Sequence, residues 1–154
     1  NNALGNINAT RGLVVEFPLF GGSENEDAEE WVQRFTDAYT TNALADDNVN
    51  RFRIAKGCLV GTAKDWLRTE GVNIDNWGAN NNDTSLDRRI VSKYASDEIK
   101  ERWQDELENI KQGDKESVTG YVTRFRSMVK KAGGSCTSRI TKENIYERFV
   151  IGIY

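Results

Sequence analysis

A helical apolar period of about 3.6 residues recurs along this chain, stretch after stretch, between glycine and asparagine stops. Ala28, Trp31, Val32, Phe35 and Tyr39 fall on one helical face. Ser23 followed by Glu26 is a capping-box pair with acids clustered behind it, so the spacing predicts a helix opened there and closed at Asn42. A second helix begins near Asp46-Asp47 and presents Val49, Phe52, Ala55 and Leu59. Gly61 breaks it, and a short third helix places Ala63, Trp66 and Leu67 on one side. After an Asn-rich loop over residues 73–84 that carries Trp77, Leu86, Ile90 and Tyr94 mark a fourth. Ser96-Asp97 stops that helix and caps a fifth, faced by Ile99, Trp103, Leu107 and Ile110. The cleanest stripe follows the Gln112-Gly113-Asp114 turn: Val118, Tyr121, Val122, Phe125, Met128 and Val129, ended by Gly133-Gly134. A last helix from about Thr141 shows Ile145, Phe149 and Val150.

Only the opening departs from this period. Asn1 to Gly12 is small and polar, a frayed terminus by composition. Leu13 to Phe20 is β-branched and aromatic, but it holds Pro18, which has no N–H for a ladder, so it reads as a short edge strand or extended arm. The expected fold is all-α, seven helices behind one arm. No stripe lasts the roughly three to four heptads of a coiled coil, and no solenoid repeat is present.

Composition narrows the chemistry. The 154 residues include no histidine, which removes the commonest neutral-pH base and with it Ser-His-Asp hydrolases, Cys-His proteases and Cys/His zinc sites. Neither GxxxxGK[ST] nor GxGxxG occurs. The expectation is a protein that is not an enzyme and needs no cofactor or metal; carboxylate chemistry alone is left open by counting. A net charge of −3 speaks against a general nucleic-acid glue, which wants clustered positive charge. Apolar runs such as Leu13-Val14-Val15 fall far short of the ~18 residues of a membrane helix. The chain opens on no leader-like segment, and Cys58 and Cys136 make no disulfide framework, so reduced thiols in the cytoplasm are expected.

One ordered set of residues is distinctive. Ile110-Lys111-Gln112-Gly113-Asp114-Lys115-Glu116 leads into Tyr121, Arg124 and Phe125. Gln-Gly makes a tight turn, Glu116 stands where its carboxylate can meet the first amides of the next helix, and Arg124 follows two turns on. Gln112, Glu116 and Arg124 are therefore expected to bond across a turn-helix unit, while Tyr121 and Phe125 insert the helix into a core.

That string closely resembles the major homology region of retroviral and retrotransposon capsid proteins, Q-G-x-x-E followed by an aromatic and an arginine-aromatic pair. The resemblance extends in order along residues 14–154 to the Gag capsid of gypsy-type (Metaviridae) LTR retrotransposons. Phe20-Gly21, Glu30-Trp31 and Phe35 look like its opening, and Leu59, Gly61, Ala63 and Trp66 are similar to its L-x-G-x-A-x-x-W segment. Leu86, Ile90 and Tyr94 take the place of a helix that usually carries phenylalanines, and Phe149 to Ile153 resembles the closing F-x-x-G-L. The resemblance implies two small helical lobes, an N-terminal one over residues 1–96 and a C-terminal one over 97–154. Because the family continues past F-x-x-G-L, the second lobe is expected to lack its last helix. It implies a buried network of Gln112, Glu116 and Arg124, so that Glu116→Ala or Arg124→Ala is expected to unfold or loosen that lobe. It also implies self-assembly into rings and closed shells, a virus-like particle around the element's RNA. The partner is then the chain itself. RNA is reached only through a nucleocapsid region outside this chain, since the cysteine-histidine knuckle is missing, and no membrane partner is implied.

Other readings stand beside these. The arm, with Val14, Val15, Phe17 and Phe20, either folds back over its own first helix, adding Phe17, Leu19 and Phe20 to the core, or pairs with an extended peptide by β-augmentation. Some domesticated capsid-like proteins bind short peptides in this lobe, which makes a peptide-binding adaptor the alternative function. Trp31, Trp66 and Trp103 are expected in cores, and Trp77 docked on its own lobe. Arg88-Arg89 with Lys93, and Lys130-Lys131, read as solvated faces in preference to RNA contacts.

Overall fold

A computed structural model describes residues 14–80, 82–133 and 142–153, excepting the side chains of 142–146. The expectations for Asn1 to Leu13, Gly134, Cys136, Thr141, the side chain of Ile145 and Tyr154 lie outside the described residues. The fold is all-α, with seven helices among the described residues: α1 Ala28–Thr41, α2 Asn48–Gly57, α3 Gly61–Thr69, α4 Leu86–Tyr94, α5 Asp97–Glu108, α6 Val118–Lys131 and α7 Lys142–Gly152. Among the described residues the β-type pairing is two isolated parallel bridges, Phe20 with Leu59 and Asn76 with Ser85. The chain divides into two compact units, Asn1–Ala95 and Ser96–Tyr154.

In the first unit α1 packs on α4. The α1 stripe turns inward as its spacing requires, burying Ala28, Trp31, Phe35, Ala38 and Tyr39. Its start differs from expectation. Asp27 is the cap, accepting the N–H groups of Glu29 and Glu30, while Ser23 and Glu26 close a separate turn ahead of the helix. Two acceptors compete for this N-terminus, and Asp27, directly abutting the helix, takes its amides. In α2, capped by Asp47, the buried residues are Asn50, Ile54 and Ala55; Val49, placed on the inner face by its spacing, is 63 % exposed. Gly61 has φ 54°, a left-handed backbone that a side chain resists, and it turns the chain from Leu59 into α3, where Ala63, Trp66 and Leu67 are buried.

The loop after α3 folds inward at Ile74 and Trp77, and the Trp77 ring lies 4.9 Å from Phe35 and 6.2 Å from Trp31. Leu86 and Ile90 of α4 are fully buried, and half-buried Tyr94 meets Phe20 and Trp66 edge-on. Burying each of these large side chains contributes about 1.5–3 kcal/mol.

In the second unit α5 packs against α6, and Trp103, Leu107, Ile110, Tyr121 and Phe125 form the core. Ser96 caps α5 through the N–H of Ile99. Ser117 caps α6 through the N–H of Gly120, a role the spacing assigned to Glu116. Val118, expected on the α6 stripe, is 55 % exposed because the first turn overhangs the core; Val122, Met128 and Val129 are half-buried.

Candidate functional site

Two arrangements stand out, one in each unit. In the second, the residues singled out after Ile110 come together around one turn. The Glu116 carboxylate accepts Arg124 Nε at 2.9 Å and Nη2 at 2.9 Å, a two-pronged pair. The same carboxylate accepts the N–H of Gly113 at 3.0 Å, while Arg124 Nη2 also donates to the carbonyl of Lys111 at 2.6 Å. Gln112 closes the turn from the other side, its Nε2 donating to the Glu116 carbonyl at 2.8 Å. Gln112 therefore meets the Glu116 backbone.

This network is not buried, which corrects the expectation. Gln112 is 9 % exposed, but the side chains of Glu116 and Arg124 are 20 % and 44 % exposed. The pair crosses the surface between turn and helix, because α6 turns Tyr121 and Phe125 inward and leaves Arg124 facing solvent. The Arg124 guanidinium and then the Gly113 N–H hold the Glu116 carboxyl at about 2. Glu116 is thus ionised at neutral pH and unsuited to donate a proton as a general acid.

Beneath the turn lies an aromatic triad. Tyr121 stacks on Phe149 at 5.3 Å and 17°, and Phe125 meets Phe149 edge-on at 5.2 Å. Tyr121 donates its hydroxyl to the Phe149 carbonyl at 3.1 Å, and the Gln112 N–H reaches the Gly152 carbonyl at 2.7 Å. The turn at Gln112 and the Phe149-x-x-Gly152 segment are thereby parts of one structure. A Cβ on Gly152 would fall 2.1 Å from the Tyr121 hydroxyl and 2.7 Å from the Ile110 carbonyl, so only glycine fits.

In the first unit the arm is seated on its own helices. Val14 and Val15 donate their N–H groups to Asn42 Oδ1 at 2.7 and 3.1 Å, and Asn42 Nδ2 donates to the Val15 carbonyl at 2.8 Å. Asn42 is 5 % exposed and also donates to the Ala38 carbonyl, so one buried amide ends α1 and grips the arm. Trp31 Nε1 donates to the Pro18 carbonyl at 2.8 Å. The Phe20 N–H meets the Cys58 carbonyl at 3.0 Å, and the Val60 N–H meets the Phe20 carbonyl at 2.9 Å. Phe20 is 1 % exposed, and half-buried Phe17 lies 5.2 Å from Phe35. Leu19, expected in the core, is 63 % exposed, and Val14 is 71 % exposed.

Trp31, Phe35, Leu59 and Trp66 are all buried, and Gly61 turns the chain beside Leu59. Beside Leu59, burial pushes the Cys58 thiol up to about 11, which makes it an inert core sulfur at neutral pH. Spacing gave no sign of the Asn42 grip, because its partners lie 27 and 28 residues away.

Of the basic clusters, Arg88, Arg89 and Lys131 are tied into their units. Arg88 Nη1 donates to Asn82 Oδ1, and Arg89 Nη1 to the Asp83 carbonyl, while the Arg89 guanidinium lies 5.8 Å from the Trp66 ring centre. They border an open surface cleft of about 490 Å³ that Val32, Asp83 and Asp87 also line, so its charge is mixed. Lys131 lies over Trp103 at 5.3 Å. Among the described residues no group of three or more His, Cys, Asp or Glu is placed to hold a metal, and no helix is long and apolar enough to cross a membrane.

Comparison with family models, with curated proteins and with solved structures finds no match for this chain.

Proposed function

We propose that the chain is the capsid region of a retrotransposon Gag, a structural protein that associates with copies of itself into a virus-like particle in the cytoplasm. The observation that carries this reading is the closed turn of Gln112, Gly113, Glu116 and Arg124 standing on Tyr121, Phe125 and Phe149. These are the residues of the ordered motif set, and the second unit joins its first and last motifs through Gln112 and Gly152. A rigid turn-helix unit of this kind suits a protein whose work is geometric, since repeated contacts close into rings only when each subunit holds one shape. In this reading the two compact units are the two capsid lobes, and RNA binds a nucleocapsid region outside this chain.

The test is light scattering against protein and salt concentration, with electron microscopy of any large species. Growth into rings, tubes or shells is expected. A strict monomer at every concentration, in this chain and in one extended past Tyr154, overturns the reading.

A second reading, a peptide-binding adaptor, is favoured by the arm. Val14 to Phe20 lies outside the helices and leaves Val14, Val15 and Leu19 exposed beside its anchored amides, an apolar strip against which an extended peptide packs in this reading. Peptide-array binding that is lost when residues 14–20 are removed distinguishes it from the capsid reading.

A further inference from the structure

We propose that Ser23 is a phosphorylation site for a serine kinase that selects acidic residues downstream of its target, and that phosphate there opens the clamp on Gly21 at the root of the Val14–Phe20 arm. Ser23 is exposed in the turn ahead of α1. Five of the seven residues after it are acidic, namely Glu24, Glu26, Asp27, Glu29 and Glu30. A kinase with a basic substrate groove recognises such a segment. In the transfer, the bond from the γ-phosphorus of a nucleoside triphosphate to its bridging oxygen breaks and a bond to Ser23 Oγ forms. The hydroxyl proton passes to the kinase's own base, and the nucleoside diphosphate leaves.

The consequence follows from what Ser23 touches. The Glu26 carboxylate accepts the Gly21 N–H at 3.0 and 3.2 Å, the Ser23 N–H at 3.0 Å and the Ser23 hydroxyl at 3.0 Å. Gly21 is the root of the arm, its carbonyl accepting the Ala63 N–H at 3.1 Å and the Thr62 hydroxyl at 2.8 Å. Esterification removes the Ser23 donor and sets a group of about −1.5 to −2 charges against the carboxylate. Acceptor then faces acceptor, Glu26 swings away, and the Gly21 and Ser23 amides lose bonds to a charged partner. The arm keeps its contacts with Asn42 and Trp31 but loses the clamp at its root. This inference does not depend on the capsid reading, because the clamp itself is the readout.

The whole chain is incubated with an acidic-directed serine kinase and ATP, the modified residue is mapped by mass spectrometry, and amide exchange is followed residue by residue. One phosphate is expected on Ser23, with none there in Ser23→Ala. Exchange at Gly21 and Ser23, whose amides donate to Glu26, is expected to quicken by at least about tenfold, while Val14 and Val15, held by Asn42, and the amides of Trp31 and Phe35 stay protected. Phosphatase treatment restores the clamp. Absence of phosphate on Ser23 in the folded chain overturns the proposal. So does a phosphorylated chain with its Gly21 and Ser23 amides as protected as before, or one in which α1 opens together with that turn.

Discussion

The Gln112 amide N–H donates to the Gly152 carbonyl across 2.7 Å, binding the turn before α6 to the last turn of α7. Forty residues of chain separate the two, and the contact forms because Gly152 has no side chain to keep Tyr121 and the Ile110 carbonyl away.

Gly152→Ala should therefore lower the stability of the second unit by about 2–3 kcal/mol, the cost of forcing a methyl group into a filled site. Urea unfolding followed at Trp103 measures it. A loss below about 0.5 kcal/mol, typical of a surface change, would mean that α7 does not dock as described.

The Glu116 pair gives a pH signature. Its carboxyl is held at about 2 against an ordinary 4.5, so the contribution is fully present above pH 4.5 and is lost as pH falls from there toward 2. Glu116→Gln should remove that part of the acid limb while leaving the neutral-pH fold in place. Superimposable acid unfolding curves for the two proteins contradict the assignment.

Asn42→Asp separates the two halves of the arm grip. A carboxylate still accepts the Val14 and Val15 amides but cannot donate to the Val15 and Ala38 carbonyls, leaving acceptors facing acceptors in a buried place. The expected cost is about 1–3 kcal/mol, read by thermal unfolding together with faster proteolysis within residues 14–20. Unchanged cleavage of the arm rules the grip out.

Trp77→Ala should destabilise the first unit by about 3–5 kcal/mol, as expected when a large buried ring is removed. Val49→Ser, by contrast, should stay within about 0.5 kcal/mol of the parent, since Val49 faces solvent. Equal losses for both substitutions would reverse the assignment of inner and outer faces.

Much of this architecture is legible in the sequence. Helical spacing identified the buried sides of α1, α3, α4 and α5, because Trp31, Phe35, Trp66, Leu86 and Trp103 have no other way to leave water. It failed at Val49 and Val118, which stand in the first turns of α2 and α6, where the period continues beyond the reach of the core. It misplaced the start of α1 because Ser23-x-x-Glu26 has the form of a cap but serves as a clamp on Gly21. The order of residues from Gln112 to Arg124 announced a network and its members. That Glu116 and Arg124 lie at the surface depends on which way α6 rolls, which the motif does not encode. The Asn42 grip leaves no local trace, since a lone asparagine closing a helix looks the same whether or not a distant arm passes over it.

The four tryptophans at 31, 66, 77 and 103 are all buried, and the chain places three in the first unit and one in the second. Trp103, with the Lys131 ammonium over its ring, is thus the sole intrinsic fluorophore of its kind for the second unit. Replacing it with phenylalanine leaves a tryptophan emission that reports the first unit only. The difference from the parent spectrum isolates the melting of the other, so each half of the chain can be timed separately without an attached dye.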